Sequence, residues 1–163
     1  MIFRKCHKGL DRGRLRICLA ASAGGHISQL LKLSDSWKGY DTFYITTTEV
    51  MRNKLCKKGK VYIVGECNHK QPVRVVKVLL NCIRIVFKEK FNLVISSGAA
   101  VGCLMSFLGK MKGAKVIWLD SITNVNRLSL SGRLVRPIAD LCLVQWPDIA
   151  DRYSGVEYAG AVI

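Results

Sequence analysis

The chain has 163 residues, half of them hydrophobic, and its 26 Lys and Arg against 11 Asp and Glu give a formal net charge of +15. This length corresponds to about one domain with its own core, and the composition excludes an intrinsically disordered protein. The one-signed charge indicates a polyanionic partner, and nucleic acid, an anionic membrane face or a phosphorylated ligand would each satisfy it.

Residues 1–14 form a basic tail without the apolar stretch of a signal peptide. The seven cysteines are scattered without a C-x-x-C pair, which argues against a disulfide framework and a zinc site and favours a reducing cytoplasm. Cys18, Cys103 and Cys142 lie in apolar runs and are expected to be small buried hydrophobic residues. We therefore expect residues 15–163 to form a single domain with no metal and no cofactor.

Short apolar runs alternate with helical patterns along the chain. The predicted strands are 15–21, 42–46, 61–64, 92–96, 115–119 and 141–145, and the predicted helices are 26–37, 49–56, 72–89, 100–112, about 128–139 and a short turn after Pro147. Because the strands are continuously hydrophobic, we expect helices on both faces of a parallel sheet. The predicted fold is α/β and Rossmann-like, in which ligands bind beyond the carboxyl ends of the strands.

Residues 91–109 contain 19 consecutive uncharged residues, the length of a membrane-spanning helix. The segment nevertheless carries "SSGAAVG" in its middle and is rich in β-branched residues in its first half. This pattern predicts a buried strand, a glycine turn and a buried helix rather than a membrane span.

The segment from Ser22 to His26, "SAGGH", follows the first predicted strand and begins the first helix. Free N–H groups at a helix start favour an anion, and Gly24 and Gly25 let a phosphate approach closely. The spacing matches neither the dinucleotide-binding G-x-G-x-x-G nor a Walker A loop. A neutral His26 imidazole can accept a proton, so it is a candidate general base or ligand-orienting group, with a helix-capping histidine as the alternative.

Ser96, Ser97 and Gly98 stand at a second strand end that also begins a helix. Their hydroxyl and N–H groups suit a phosphate or a sugar, although an N-cap serine followed by a turn glycine is the simpler interpretation. If this turn and the "SAGGH" loop end parallel strands of one sheet, the two line the same crevice.

Polar residues also follow the predicted strand 115–119. Asp120, Ser121 and Asn126 carry groups that form hydrogen bonds with sugars, and Arg127 can bind a phosphate through two N–H groups. A surface loop with solvated side chains is the alternative for each of these residues taken singly.

The helix predicted at 72–89 begins at a proline, which is tolerated at the first helical position. Arg74, Lys77, Arg84 and Lys88 form one basic stripe along it, and the rest of the helix is almost entirely aliphatic or aromatic. We expect this helix to dock on anionic lipid or to cover a partner chain, the alternative being a helix whose charges face water.

Three segments together resemble the PssD-like family of polysaccharide biosynthesis proteins. They are "SAGGH", "ISSGA" and "VIWLDSITNVNRLSLSGRLVRPIADLCLVQWPD", and the resemblance extends from about residue 15 to the C-terminus. The members of this family are bacterial relatives of the membrane-anchor subunit of the eukaryotic dolichol-linked N-acetylglucosaminyltransferase. The "SAGGH" loop is also similar to the N-terminal domain of the peptidoglycan lipid-linked N-acetylglucosaminyltransferase.

The resemblance implies a GT-B glycosyltransferase split over two chains. This chain would be the N-terminal, acceptor-binding half, and a separate subunit would bind the nucleotide sugar, a UDP-sugar. Two Rossmann-like domains do not fit in 163 residues, and the chain ends at "EYAGAVI", where a second domain would follow. By resemblance, Gly24 and Gly25 would face the diphosphate of the acceptor, and His26 would be the base or would orient the acceptor.

The implied acceptor is a polyprenyl-diphosphate-linked sugar at the cytoplasmic face of the cell membrane, where the chain would bind peripherally during capsule or exopolysaccharide synthesis. The alternative is a basic nucleic-acid-binding α/β module, which the net charge alone permits. The sequence carries no RRM aromatic signature, zinc finger or recognisable helix-turn-helix, so we expect no nucleic-acid partner.

Overall fold

The computed structural model describes residues 15–66 and 71–162, so the basic tail 1–14 and most of the polar loop near residue 69 lie outside the described residues. The strands are β1 (Arg16–Ala21), β2 (Asp41–Thr46), β3 (Lys60–Ile63), β4 (Leu93–Gly98), β5 (Lys115–Leu119), β6 (Leu141–Val144) and β7 (Glu157–Tyr158). The α-helices are α1 (Gly25–Lys32), α2 (Arg52–Leu55), α3 (Pro72–Lys88), α4 (Ala99–Met111), α5 (Leu130–Val135) and α6 (Pro147–Arg152), with 3₁₀ turns at Ser34–Trp37 and Glu49–Met51.

All strands join one parallel sheet in the order β3-β2-β1-β4-β5-β6-β7. This arrangement confirms the predicted Rossmann-like α/β fold. The chain runs outward from β1 to β3 and then returns to place β4 on the other side of β1. Such a reversal opens a crevice at the carboxyl ends of the two central strands, which is where doubly wound folds bind ligands.

Each face of the sheet has its own core, as the continuous hydrophobicity of the strands predicts. On one face, α3, α4 and α5 pack against side chains such as Phe43 and Trp118. On the other face, Ile27 and Leu30 of α1 pack with Trp37 against β1. The thiols of Cys18 and Cys142 are buried, and burial raises the pKa of both, that of Cys142 to about 12, so they act as apolar residues. The predicted third buried cysteine, Cys103, is only half-buried against the first core.

The uncharged segment 91–109 forms β4, a sharp turn and α4, as predicted. Among the helices of residues 15–66 and 71–162, none is long and apolar enough to cross a membrane. The basic-striped helix begins at Pro72 and ends at Lys88, close to its predicted bounds.

Other predicted bounds differ from the structure. Helix α1 ends at Lys32 and continues only as a 3₁₀ turn, and α5 spans six residues instead of about twelve. Helix α5 begins at the Ser129 cap, whose Oγ accepts the Gly132 N–H, and Pro137 offers no N–H to extend it. Strand β7 was not predicted, because two exposed residues carry no hydrophobic pattern.

The ladder between β1 and β4 contains one irregularity. Ala20 pairs with Ser96, whereas the next residue of β1, Ala21, pairs with Gly98. Ser97 is therefore an extra residue in β4, and this bulge lies at the carboxyl end of the strand.

An ionic cluster lies at the opposite, amino edge of the sheet. Glu89 is 4% exposed and accepts hydrogen bonds from Lys60 at 2.7 Å and from the Tyr62 hydroxyl, while Arg16 lies 2.6 Å from its second oxygen. Arg16 also pairs with Asp41 at 2.8 Å. Burial alone would raise the pKa of Glu89, but these partners together lower it to about 2.

Candidate functional site

His26 lies in the first turn of α1, above the carboxyl end of β4. Its Nδ1 lies 2.8 Å from the carbonyl oxygen of Ser97, and the Ser97 hydroxyl donates to the carbonyl of His26 at 2.6 Å. Since a carbonyl oxygen only accepts, Nδ1 carries the proton, and Nε2 is the nitrogen that keeps the lone pair whenever the ring is neutral. The bulge of β4 and the first turn of α1 thus fix both the orientation and the tautomer of the imidazole.

Gly98 provides the surface on which the imidazole rests. Its φ of +131° and ψ of −170° lie in a region that is essentially restricted to glycine. A Cβ at this position would lie 2.6 Å from Cε1 of His26 and 2.7 Å from its Nδ1. Both the backbone conformation and the ring contact therefore require glycine. The following residue, Ala99, has a φ of 63°, so the turn holds strain next to the imidazole.

The "SAGGH" loop is open to solvent at its two glycines. Gly24 has a φ of +95°, and a Cβ at either Gly24 or Gly25 would meet nothing within 4 Å. The loop is held from below, where the N–H of Ala23 donates to Oγ1 of Thr47 at 3.0 Å. Ser22 is partly buried. An exposed loop at a helix start that leaves room over two glycines is compatible with an approaching anion.

The two serines of the second turn organise the backbone. Ser96 is buried, and its Oγ accepts the Gly98 N–H at 3.3 Å. A Cβ at Gly102 would lie 1.9 Å from that oxygen, so α4 packs directly on Ser96. The Ser97 hydroxyl is engaged by the backbone of His26. In the structure the hydroxyls of both serines therefore form hydrogen bonds with backbone groups, that of Ser96 within the turn and that of Ser97 with α1.

Asp120 is also placed inside the protein. It is 1% exposed, and its carboxylate accepts the Ser129 N–H at 2.8 Å, the Ser129 hydroxyl at 2.6 Å and the Trp118 indole N–H at 3.4 Å. Its backbone carbonyl accepts from Gln145 at 2.9 Å. These bonds make Asp120 the residue that fixes the start of α5, and its carboxylate does not face the crevice.

The loop after β5 carries the remaining predicted residues. Ser121 is mostly buried and lies 3.0 Å from the Thr123 hydroxyl, whereas Asn126 and Arg127 are exposed. The carbonyl of Asn126 accepts from Arg152 at 3.0 Å, which ties the loop to α6. The side chains of Asn126 and Arg127 are thus left exposed, and neither lines the cavity beside the "SAGGH" loop.

A cavity of about 640 Å³ opens beside the "SAGGH" loop, on the side of α3. It is lined by residues of five segments that meet at the carboxyl edge: Ser22, Ala23, Thr47, Glu66, Gln71, Arg74, Ala99, Ala100, Val101, Leu130 and Ser131. Sequence reasoning missed Thr47, although a run of three threonines begins at the last residue of β2 and the ends of neighbouring parallel strands meet. It assigned Arg74 to the basic stripe, whereas the structure places Arg74 in this cavity wall.

A second cavity of about 210 Å³ lies on the other face of the sheet. Trp37, Ile117 and Leu143 contribute to its apolar wall, and residues 159–162 close one side. Within the part of the chain that the structure describes, no group of three His, Cys, Asp or Glu side chains is placed to hold a metal ion.

The Rossmann-like parallel sheet flanked by helices has the fold of the N-terminal half of GT-B glycosyltransferases. Among solved structures, MurG of Acinetobacter baumannii superposes with a TM-score of 0.71 and 16% identity over 88% of this chain and 45% of that chain. A UDP-N-acetylglucosamine 2-epimerase from Rickettsia bellii superposes with a TM-score of 0.66 and 12% identity. This match covers 91% of this chain and 45% of that chain. The chain thus spans less than half the length of these proteins, and the likeness concerns the fold.

The family follows from the sequence comparisons. Residues 45–162 match the family described as "Oligosaccharide biosynthesis protein Alg14 like", and the chain belongs to this family. The "UDP-N-acetylglucosamine transferase subunit alg14" of Schizosaccharomyces pombe is 30% identical over 86% of this chain and 80% of its own length. The corresponding mouse subunit is 23% identical over 96% of this chain and 87% of its own length. The range matched by the family model begins after the His26 loop, whereas the alignment with the mouse subunit extends over it.

Proposed function

We propose that this chain is the acceptor-binding subunit of a two-component glycosyltransferase that moves a sugar from a UDP-sugar to a polyprenyl-diphosphate-linked acceptor. Its Alg14-like relatives are named as subunits of a UDP-N-acetylglucosamine transferase, which makes N-acetylglucosamine the first donor sugar to test. A separate subunit supplies the nucleotide-sugar domain. The resemblance to the PssD-like proteins extends the proposal to capsule or exopolysaccharide synthesis. A nucleic-acid-binding role has only the net charge in its favour.

The single observation that carries the proposal is the hydrogen bond between Nδ1 of His26 and the Ser97 carbonyl. In the neutral ring, this bond makes Nε2 the acceptor nitrogen, beside an open glycine loop. In the proposed reaction the acceptor hydroxyl oxygen attacks the anomeric carbon of the donor, its proton passes to Nε2, and the bond from that carbon to UDP breaks. A positioned base of this kind contributes about 10²–10⁴-fold to a rate. Gly24 and Gly25 lie where the acceptor diphosphate would approach the N–H groups of α1.

The outer face of α3 supports binding to the cytoplasmic face of an anionic membrane. Val73, Val76, Leu80 and Phe87 are 81%, 54%, 49% and 76% exposed, although they are large and apolar. Lys77, Arg84 and Lys88 are exposed beside this stripe. On the neighbouring α4, Phe107 and Met111 are also exposed. An apolar stripe bordered by cations is the pattern of a surface that lies in the headgroup layer.

Reconstitution tests the proposal. The assay measures transfer from UDP-N-acetylglucosamine and other UDP-sugars to an isoprenyl-diphosphate-linked sugar. It is run with this chain alone, with the separate nucleotide-sugar-binding subunit alone, and with both together. We expect transfer only with both chains present. Full activity of this chain alone would contradict the two-chain proposal, and DNA binding without any transfer would favour the alternative.

Vesicle flotation tests the membrane face. Replacing Lys77, Arg84 and Lys88 by Gln is expected to weaken binding to vesicles with anionic lipid, because each cation near such a surface contributes about 1 kcal/mol. Gln replacements of Lys54, Lys57 and Lys58, which lie in and after α2, remove the same charge as the matched control. Equal losses in both triple variants would show that net charge, rather than the α3 face, determines binding.

A further inference from the structure

The cavity between α3, α4 and α5 has both polar and apolar lining residues. Ser22, Thr47, Gln71 and Ser131 contribute polar groups, whereas Ala99, Ala100 and Val101 line it where α4 begins. Leu130 also lines the cavity and is 65% exposed, a large apolar side chain at its open rim. A site with both properties fits a ligand that has a polar head and a hydrocarbon tail.

Arg74 is the one cationic side chain that the described residues contribute to this cavity wall. It stands in the first turn of α3, two residues after Pro72, and is exposed. No carboxylate of the described residues forms an ion pair with it, although Glu66 lines the same cavity. A guanidinium without an ionic partner, at the wall of a cavity, is suited to bind an anionic ligand through two N–H groups.

The cavity and the His26 site share one turn of the backbone. Gly98 contacts the His26 ring, and the next residue, Ala99, lines the cavity, whereas His26 itself does not. Lys77, Arg84 and Lys88 do not line the cavity either, which distinguishes Arg74 from the rest of the basic stripe.

We infer that Arg74 binds the diphosphate of the isoprenoid-linked acceptor inside this cavity and that the isoprenoid leaves over Leu130, on the side of the protein where α3 and α4 present their exposed apolar residues. The inference rests on the proposed function for the identity of the acceptor. By this inference Arg74 contacts the substrate, whereas Lys77, Arg84 and Lys88 contact the membrane.

Binding of farnesyl diphosphate to the full chain, measured by calorimetry in solution without lipid, tests the inference directly. We expect Arg74→Gln to weaken binding at least about tenfold, the scale of a lost charge-assisted hydrogen bond. Arg84→Gln is the matched control, since Arg84 is an exposed arginine of the same helix outside the cavity, and it should change binding less than about twofold. Glu66→Gln should strengthen binding, because it removes the like charge. Circular dichroism confirms that each variant is folded.

The outcomes separate this inference from the proposed function. Equal weakening by Arg74→Gln and Arg84→Gln, or no binding by the wild type, overturns the inference. If Arg74→Gln lowers vesicle binding as much as Arg84→Gln does and leaves farnesyl diphosphate binding intact, Arg74 contacts lipid headgroups and the inference is wrong. In the two-chain assay, Arg74→Gln should raise KM for the acceptor about tenfold with kcat nearly unchanged. Arg74-dependent binding without any wild-type transfer would refute the proposed function alone, and transfer insensitive to Arg74→Gln would refute the inference alone.

Discussion

The two edges of the parallel sheet differ in whether their charged side chains form ion pairs. At the amino edge, Glu89 is buried among Arg16, Lys60 and Tyr62, and their charges are balanced within the protein. At the carboxyl edge, Arg74 and Arg127 are exposed, and neither forms an ion pair with a carboxylate of the described residues. The strained backbone at Gly98 and Ala99 lies at this second edge as well.

This difference separates stability from binding. The interactions at the amino edge are internal, so changes there should alter folding and leave ligand affinity unaffected. The carboxyl edge carries two exposed arginines without an ion pair among the described residues, an open glycine loop and an imidazole held through Nδ1, so changes there should alter binding and catalysis first. Each of the following variants tests one side of this comparison.

The largest effect is expected from His26→Ala in the assembled two-chain enzyme. If His26 is the general base, as proposed, its loss should lower kcat about a thousandfold. Binding of the partner and the unfolding midpoint should stay close to those of the wild type. Lys32→Ala, in the last turn of the same helix, is the control and should retain activity. A wild-type rate in the His26 variant would remove this residue from the mechanism.

The second effect compares two glycines of the carboxyl edge. Gly98→Ala should lower the free energy of unfolding by about 2–3 kcal/mol, because it places a side chain in a glycine-only conformation. Its Cβ would also lie 2.6 Å from the imidazole, so activity should fall with stability. Gly25→Ala has space around it and should change stability by less than about 0.5 kcal/mol.

Urea unfolding and the acceptor KM distinguish these two glycine variants. If Gly25 lies against the acceptor diphosphate, Gly25→Ala raises KM without changing stability. An unfolding midpoint lowered equally by both substitutions would contradict the distinction between a strained glycine and a permissive one.

At the amino edge, Glu89→Gln should lower the free energy of unfolding by about 2 kcal/mol. Removing a wholly enclosed carboxylate would cost more, but the Lys60 side chain is 52% exposed and Arg16 28%, so water can solvate both cations afterwards. Transfer at 25 °C should be unchanged. A rise in the acceptor KM would contradict the separation of the two edges.

Glu89 also makes the stability of the fold depend on pH. The pKa of Glu89 is about 2 in the folded chain, below the ordinary value of 4.5, so its contribution to stability is complete above pH 4.5 and is lost as the pH falls towards 2. Urea midpoints of wild type and Glu89→Gln should therefore converge as the pH falls from 5 towards 2, over the pH range in which both remain folded without denaturant. A constant difference over that range would show that the cluster does not stabilise through the ionised carboxylate.

The sequence alone predicts most of the fold, because the signal for each element is local. Strands β1 to β6 are continuous apolar runs, and Pro72 marks where α3 begins. Strand β7 and the short α5 depend on contacts with distant residues. Edge pairing with β6 supports β7, and the Asp120 carboxylate holds Ser129 at the start of α5. Neither contact leaves a periodic pattern in the sequence.

The candidate site is predictable only where its residues follow strand ends. The "SAGGH" loop and the Ser96–Gly98 turn were found in this way, and the structure joins them through His26 and Ser97. Helical periodicity groups Arg74 with Lys77 and Arg84, and only the packing of α3 beside α4 and α5 shows that it borders a cavity. Asp120 has the polarity of a ligand contact, and its burial becomes evident only in three dimensions.

The extra residue in β4 has a consequence for which kinds of sequence change this fold tolerates. The Ser97 carbonyl receives the Nδ1 proton because β4 gains one residue relative to β1 at this point. Deleting that residue would make the ladder regular and withdraw the acceptor from an imidazole 71 positions earlier in the chain. The tautomer of the His26 imidazole thus depends on the length of this turn as well as on its composition. Substitutions near Ser97 that keep its backbone in place should be better accepted than the loss or gain of one residue.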